Sequence, residues 1–546
     1  MSSATSFLLR LGTGVICLIA LAIWWRRPAA EADALAPARP IPGFTSVSDR
    51  LPAASPNPDA TTRNLLAKLA ALLEQRSVRA RESLLTFKDA EAVRRFRERA
   101  AAGRLTILGE LRGQRTLRVR HASFRDLEAE LLAHAGDYDG ISANSLFVVP
   151  GVPAREARDA VEQVPFRNRT LDFVGIDARA QENAAWGRGI TIAILDTGVS
   201  GDPTLSGGRL SALDVGYGTA PGTDRESGHG TAVAALAAGL SPDAPGVAPA
   251  ANVLSIRVTD ATGVSDLFTL AQAIVAATDA GARVINVSLG GQATAPLLSA
   301  AIAYAREQGA VIVAAAGNDQ AAQLQWPAAD PRVISVGAVD AAGQQVLFSN
   351  SGPQLQVTAP GFGVQTAWLD GQRALVDGTS ASAPLVAGAI AAVMANTPGM
   401  TAAAAAEIVL KTASDAGVPG DDPAFGRGIL NLQWAMNYQR TDYADTAVVT
   451  HYFEAATNQM QFVVQNRGGQ AVTGLSLDVN AGANPTRITV PSLMPGEGYL
   501  AKVPVSPQAR QAGPIVYESN LVNPPGVNDA VPTNNQHRSV LAPPAN

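Results

Sequence analysis

Of the five histidines in this chain, one, His229, lies between Leu171 and Arg440. It stands in "ESGHGTAVAAL", held between two glycines at the head of an alanine-rich helical run. Catalysis by a hydroxyl nucleophile needs a base, a group that orients the base, and donors for the oxyanion that develops. His229 is the base of this region if any histidine is. The run "DGTSASAPLVAGAIAAVM" offers Ser380 as nucleophile. Gly378 and Thr379 lead into it, and Pro384 cannot donate an amide to the Ser380 carbonyl, as expected within a first helical turn. The Ser380 N–H and the positive helix end then face an oxyanion formed on its own Oγ. Asp196, after "ITIAIL", supplies the carboxylate that holds the imidazole tautomer. Asn318, after "VIVAAAG", supplies a side-chain amide as the second oxyanion donor.

These four residues are distant in sequence, so the elements between them must bring them together. The apolar runs "GITIAILDTG", "ANVLSIRV", "RVINVSLGG", "AVIVAAAGN" and "RVISVGAV" read as strands. They alternate with helical patterns such as "SDLFTLAQAIVAATDAG" and "PLLSAAIAYAREQG". Near-continuous apolar strands are buried on both faces, which implies an α/β domain with a mostly parallel sheet flanked by helices. In such sheets chemistry gathers beyond the carboxyl ends of the strands, where Asp196, Ser288 and Asn318 fall.

At these residues the sequence resembles a known family. "ILDTGV", "GHGTAVAA", "AAAGN" and "GTSASAP" are similar, in order, to the segments around Asp, His, Asn and Ser in the subtilisin-like serine peptidases, over about Asp177 to Tyr438. The segments "INVSLGG" and "GRGILNLQWAM" share the likeness. The resemblance implies an endopeptidase that works through an acyl-enzyme on Ser380, with His229 moving the proton, Asp196 stabilising the imidazolium and Asn318 holding the oxyanion. It also implies that Ser288, Leu289, Gly290 and Gly291 bind substrate as an added strand. Ala314 to Gly317, Ala315 and Gly317 among them, form the opposite wall of a primary pocket suited to a medium or large apolar residue. Two positions depart from the family pattern: Ala232 stands where a second histidine is common, and Ala381 where a methionine is. Neither supplies a reacting group, so altered packing is expected there and retained function.

The chain's 546 residues, 47% of them hydrophobic, exceed one compact core. Residues 1–27 contain the apolar run "FLLRLGTGVICLIALAIWW", which predicts an export signal kept as a membrane anchor, with cleavage after Ala30-Glu31-Ala32 as the alternative. Residues 28–62 read as a Pro-, Ala- and Ser-rich linker. Residues 80–150 read βαββαβ, the split arrangement of a ferredoxin-like domain. His121 and His134 are expected there as ordinary surface or helix residues. Between Ala60 and Ala135 there are 16 Lys and Arg against 9 Asp and Glu, a balance of +7, and from Leu171 to Arg440 there are 12 against 22, a balance of −10. The two regions therefore attract, provided they touch. Subtilisin-like enzymes commonly carry a βαββαβ propeptide that assists folding and blocks the cleft, so the basic domain is expected to inhibit residues 173–440. Autocatalytic cleavage is expected in the breaker-rich linker 151–172, beginning about Pro150. An inhibited zymogen behind an export signal places catalysis at the cell membrane facing the periplasm or exterior, or in secreted form.

Residues 441–546 turn to short strands separated by Gly, Pro and Asn, which predicts a β-sandwich. "VVQNRGGQAV" and "NDAVPTNNQ" resemble the CARDB type of adhesion-related module, and His451 and His537 are expected on its surface. The single cysteine, Cys17, excludes an intramolecular disulfide and a Cys-based metal cluster. No phosphate loop or dinucleotide fingerprint is present, and no nucleic-acid partner is expected. Metal sites in the family use scattered loop oxygens, and Asp421-Asp422 is too small a signal to name a calcium site, so no cofactor is assigned. A catalytically inactive surface adhesin remains the competing class. Protein or peptide substrates are the partners that the resemblance implies.

Overall fold

The computed structural model describes residues 60–150, 163–176, 181–222, 225–438, 440–481 and 485–543. The expected anchor, the linker up to residue 59 and the linker stretch 151–162 lie outside the described residues. Helix α1 (Ala60–Leu73) takes up the end of the expected linker and was not foreseen. It buries Leu66 and Leu69 against the small N-terminal domain. Strands β1 (Val78–Phe87), β2 (Leu105–Leu111), β3 (Thr116–His121) and β4 (Tyr138–Val148), with helices α2 (Ala90–Ala102) and α3 (Phe124–Ala133), follow in the order βαββαβ. The strands lie antiparallel in the spatial order β4-β1-β3-β2. Asp89 caps α2 by accepting from the Ala92 N–H at 2.7 Å, and Phe96 and Leu127 carry the helix faces onto Leu85, Phe87 and Leu117. His121 is buried, 3% exposed, and not a surface residue; burial pushes its imidazole below the ordinary range.

The second domain is built on seven parallel strands. In chain order they are β5 (Thr191–Asp196), β6 (Leu210–Asp214), β7 (Asn252–Arg257), β9 (Val284–Val287), β10 (Val311–Ala315), β11 (Ile334–Val339) and β12 (Val357–Pro360), with the three-residue β8 (Val264–Asp266) outside this sheet. Their spatial order is β12-β11-β10-β9-β5-β7-β6. Alternate side chains leave the sheet on opposite faces. Ile192 and Ile194 meet helices α4 (His229–Ala238), α7 (Thr379–Asn396) and α8 (Ala402–Lys411) on one side. Ala193 and Leu195 meet α5 (Leu267–Asp279) and α6 (Pro296–Glu307) on the other. Helix α7 has the length and hydropathy of a membrane span, yet 89% of that window is buried, so it is the core helix of this domain.

The basic domain does touch the acidic one. β8 pairs antiparallel with β4, joining Val264 to Val148 and Asp266 to Leu146. Asp266 caps α5 through Oδ1, accepting from the Thr269 N–H at 3.0 Å. Its Oδ2 receives Arg79 at 3.2 Å and Arg118 at 3.1 Å. Glu82 holds Arg118 at 2.7 Å and Arg120 at 3.0 Å, and Asn144 accepts the Phe268 N–H at 3.1 Å.

Beyond residue 440, strands Thr446–Glu454, Gln459–Asn466 and Gly498–Pro504 form one antiparallel sheet. Strands Ser476–Asn480, Thr486–Thr489, Ile515–Val522 and Gln536–Leu541 form another. Both contribute to a single core of Val448, Phe462, Leu477, Val479, Tyr517 and Leu521. His451 is not the surface residue expected: it packs on Phe462, lies 4.4 Å from the His537 ring and bonds Ser519 and Ser539. Arg467, 7% exposed, reaches out of this region to the Ser414 hydroxyl at 2.8 Å and lies over the Trp434 ring.

Burial pushes the Glu82 carboxyl up, but the bonds and charge of Arg118 and the bonds of Arg120 and Asn144 outweigh it and hold the group below the usual carboxylate range. A lowered folded value stabilises above the ordinary glutamate pKa of about 4.3 and is lost as pH falls through the folded value. The N-terminal domain is therefore expected to loosen below about pH 4. Amide hydrogen exchange across β1 and β3 at pH 3 and pH 7 measures it, and Glu82→Gln should flatten the difference.

Candidate active site

Parallel strands end with unpaired backbone groups and, here, with polar side chains. Asp196 is the last residue of β5 and is fully buried. Its Oδ1 accepts the Thr197 N–H at 2.7 Å and lies 2.8 Å from His229 Nδ1, with Oδ2 at 3.0 Å. Both carboxylate oxygens thus face one ring nitrogen, which fixes Nδ1 as the protonated one and turns Nε2 outward as the acceptor. Thr197 fastens the helix to the strand end, since its Oγ1 accepts the Gly230 N–H at 3.0 Å and donates to the Ser227 carbonyl at 3.1 Å. The flanking glycines answer to close approach. A Cβ on Gly228 would meet the Trp368 ring at 2.2 Å, and one on Gly230 would meet the Gly198 carbonyl oxygen at 2.3 Å.

Helix α7 packs against α4 and begins at Thr379, after Gly378 with φ of 137°. A side chain on Gly378 would both strain this backbone and strike Asn318 Nδ2 at 2.7 Å. Pro384 leaves the Ser380 carbonyl without its helical donor, and the Ser288 hydroxyl fills the gap at 3.1 Å. Asn286 Nδ2 in turn donates to Ser288 Oγ at 2.9 Å. Ser380 Oγ donates to the Ser288 carbonyl at 3.2 Å, so the nucleophile candidate is fastened twice to the end of β9. Asn318 Oδ1 accepts both the Thr379 N–H and the Thr379 hydroxyl at 2.9 Å. That commits its oxygen to α7 and leaves Nδ2 as the outward donor. Thr379 Oγ1 also accepts the Gly317 N–H at 3.2 Å. Sequence reading passed over Thr379 as a positioning residue, although it stands next to the nucleophile in "GTS".

The two expected walls are present in backbone and altered in side chains. Gly290 exchanges both hydrogen bonds with Val148, at 2.9 and 3.0 Å, and the Val149 N–H donates to the Gly263 carbonyl at 3.0 Å. The N-terminal domain's last strand therefore lies between residues 263–266 and Gly290 as an added strand. Leu289 and Ala315 are buried, their side chains in the apolar layers on opposite faces of the sheet. Gly290 and Gly317 do face a common space, and Gln325 fills it. A Cβ on Gly290 would lie 1.9 Å from Gln325 Oε1, and one on Gly317 would lie 2.8 Å from Gln325 Cγ. Gln325 carries no motif, and its place just before Trp326-Pro327 gave no signal in the sequence. Among the described residues no group of three or more His, Cys, Asp and Glu could hold a metal ion.

The family model described as "Subtilase family" matches residues 187–428. The thermostable alkaline protease of Halalkalibacterium halodurans is 32% identical over 255 residues, which is 46% of this chain and 69% of that protein. Subtilisin Savinase of Lederbergia lenta is 33% identical over 265 residues, 47% of this chain and 96% of that protein. The crystal structure of the epidermin leader peptide processing serine protease from Staphylococcus aureus superposes with a TM-score of 0.54 at 20% identity, covering 65% of this chain and 97% of that one. At that identity the superposition speaks for the fold alone.

Removing one oxyanion donor commonly costs roughly 10² to 10³ in turnover, so Asn318→Ala should fall in that range in kcat. Thr379→Val removes the hydroxyl that donates to Asn318 Oδ1 and accepts from Gly317, and should lower kcat about tenfold while leaving KM near the wild type. Steady-state kinetics of the two variants on one peptide anilide separates these expectations.

Proposed function

The chain belongs to the subtilase family and is a subtilisin-like serine endopeptidase, and on that premise we propose that it is made as a self-processed zymogen acting outside the cytoplasm. Ser380 Oγ turns from the Ser288 carbonyl toward His229 Nε2 and attacks the substrate carbonyl as His229 takes its proton. Asp196 stabilises the imidazolium so formed. The oxyanion is received by the Ser380 N–H at the start of α7 and by Asn318 Nδ2. His229 then protonates the leaving amine, and water cleaves the acyl-enzyme by the same route in reverse. The observation that carries this assignment is the double contact of Asp196 with His229 Nδ1. A non-catalytic adhesin has no use for a buried carboxylate committed to one imidazole nitrogen.

The N-terminal ferredoxin-like domain serves as the propeptide. Its βαββαβ order, its ion pairs to Asp266 and the seating of residues 146–149 beside Gly290 support that role. With Val148 opposite Gly290 in antiparallel register, continuation of that register would bring Pro150 opposite Ser288, whose carbonyl receives the Ser380 hydroxyl. Processing is accordingly expected between about Pro150 and Asp172. The run from Phe7 to Trp25 tethers the enzyme to the membrane, with the secreted form as the alternative, and the CARDB-like C-terminal sandwich docks it to an envelope or substrate surface.

N-terminal sequencing of the purified mature protein should begin between residues 151 and 172. Ser380→Ala should keep its propeptide, lose nearly all turnover and fail to react with a fluorophosphonate probe. A Ser380→Ala chain that sheds its propeptide in the absence of other proteases removes self-processing.

A further inference from the structure

The space between the two glycine-lined walls is where the side chain on the acyl side of the scissile bond would lie, and here it already holds a side chain. Gln325 is 7% exposed and is pinned at its backbone by a bond from its N–H to the Ala316 carbonyl at 2.9 Å. The next residue, Trp326, exchanges hydrogen bonds with Gly291 at 2.8 and 3.0 Å. The amide end is pinned as well, because Nε2 donates to Asp319 Oδ2 while the Asp319 N–H is held by Asn350 Oδ1 at 2.9 Å. The glutamine stem lies against Gly317, which has φ of 109°, and Oε1 lies against Gly290. Glycine at both walls is what a flat slot needs, yet the slot is closed at its inner end by a side chain about as long as a substrate leucine.

We propose that Gln325 is a specificity-determining residue that shortens the primary pocket, so that the enzyme cleaves after small residues such as alanine, glycine and serine and disfavours the medium or large apolar residues that the glycine walls alone would admit. This proposal rests on the peptidase function above and names the substrate class of that same site. The chain's own propeptide agrees with it. Extended past the bridge between Val148 and Gly290, the same antiparallel register would bring Pro150, with a short rigid ring and no amide hydrogen to donate, opposite Ser288. A bulky acyl-side residue could enter only by expelling the Gln325 amide from its bond to a carboxylate, a loss that amounts to tenfold or more in the specificity constant.

The test uses the processed wild-type enzyme and two variants, Gln325→Gly and Gln325→Ser, on succinyl-Ala-Ala-Pro-Xaa-p-nitroanilides with Xaa as Ala, Phe, Leu or Lys. Each preparation is first titrated with a fluorophosphonate probe so that rates are per reactive serine. The wild type is expected to favour Ala over Phe and Leu by at least tenfold in kcat/KM. Opening the slot should raise the Phe and Leu values at least tenfold and leave Ala within about threefold. A wild-type enzyme that labels normally but cleaves after Phe, Leu or Lys as well as after Ala overturns the proposal and leaves the peptidase function standing. So does an unchanged Ala-to-Phe ratio in whichever variant folds. If neither labelling nor hydrolysis is found in the processed wild type, the peptidase reading fails and the pocket proposal falls with it.

Discussion

A proline cannot donate a backbone hydrogen bond, and the site depends on where that deficit falls. Pro384 sits four residues after Ser380, so the Ser380 carbonyl on the first turn of α7 has no helical partner. The Ser288 hydroxyl takes that position at 3.1 Å, and the Ser380 hydroxyl returns a bond to the Ser288 carbonyl. One missing N–H thereby clamps the start of the core helix onto the end of a central strand. With that clamp set, Asn318 can hold Thr379 through its oxygen and present its nitrogen. Asp196, on the neighbouring strand, can hold the imidazole from below. Buried polar groups of this kind are stable only when each has a partner, and here the partners are one another.

The N-terminal domain uses the same economy of backbone groups. Residues 263–266 and Gly290 would each leave a free edge, and the last strand of the N-terminal domain lies between them. The ion pairs of Arg79 and Arg118 with Asp266 sit beside this added strand, where water is scarce and a removed partner would leave a buried charge. Asp266 also caps α5, so the contact between the domains and the start of a core helix share one carboxylate.

How much of this could be read beforehand follows from what each residue needs. Asp196, His229, Asn318 and Ser380 could be named as candidates because catalysis by a hydroxyl nucleophile restricts its groups to few residue types at strand and helix ends. The five central strands were legible because burial on both faces leaves a continuous apolar run. The two edge strands were not: Leu210–Asp214 is half exposed and reads "LSALD", and Val357–Pro360 is four residues ending in proline. Helix α1 was hidden by an adjoining Pro- and Ala-rich stretch. Leu289 and Ala315 are buried in the apolar layers on the two faces of the sheet, a placement set by packing across the fold. Gln325 and His451 are set by contacts across the fold, with Gly290 and Gly317 in one case and Ser519 and Ser539 in the other, and no local pattern carries such information.

Arg467 has one more consequence. A guanidinium buried over Trp434 and bonded to Ser414 is a poor hinge, because any rocking of the last region against the catalytic one would expose an aromatic face and strand a charge. A surface held by the C-terminal strands would thus set the compass bearing of the cleft. The blade would then work at a fixed angle to its mount, trimming whatever stands at one height beside that surface and sparing what lies behind it.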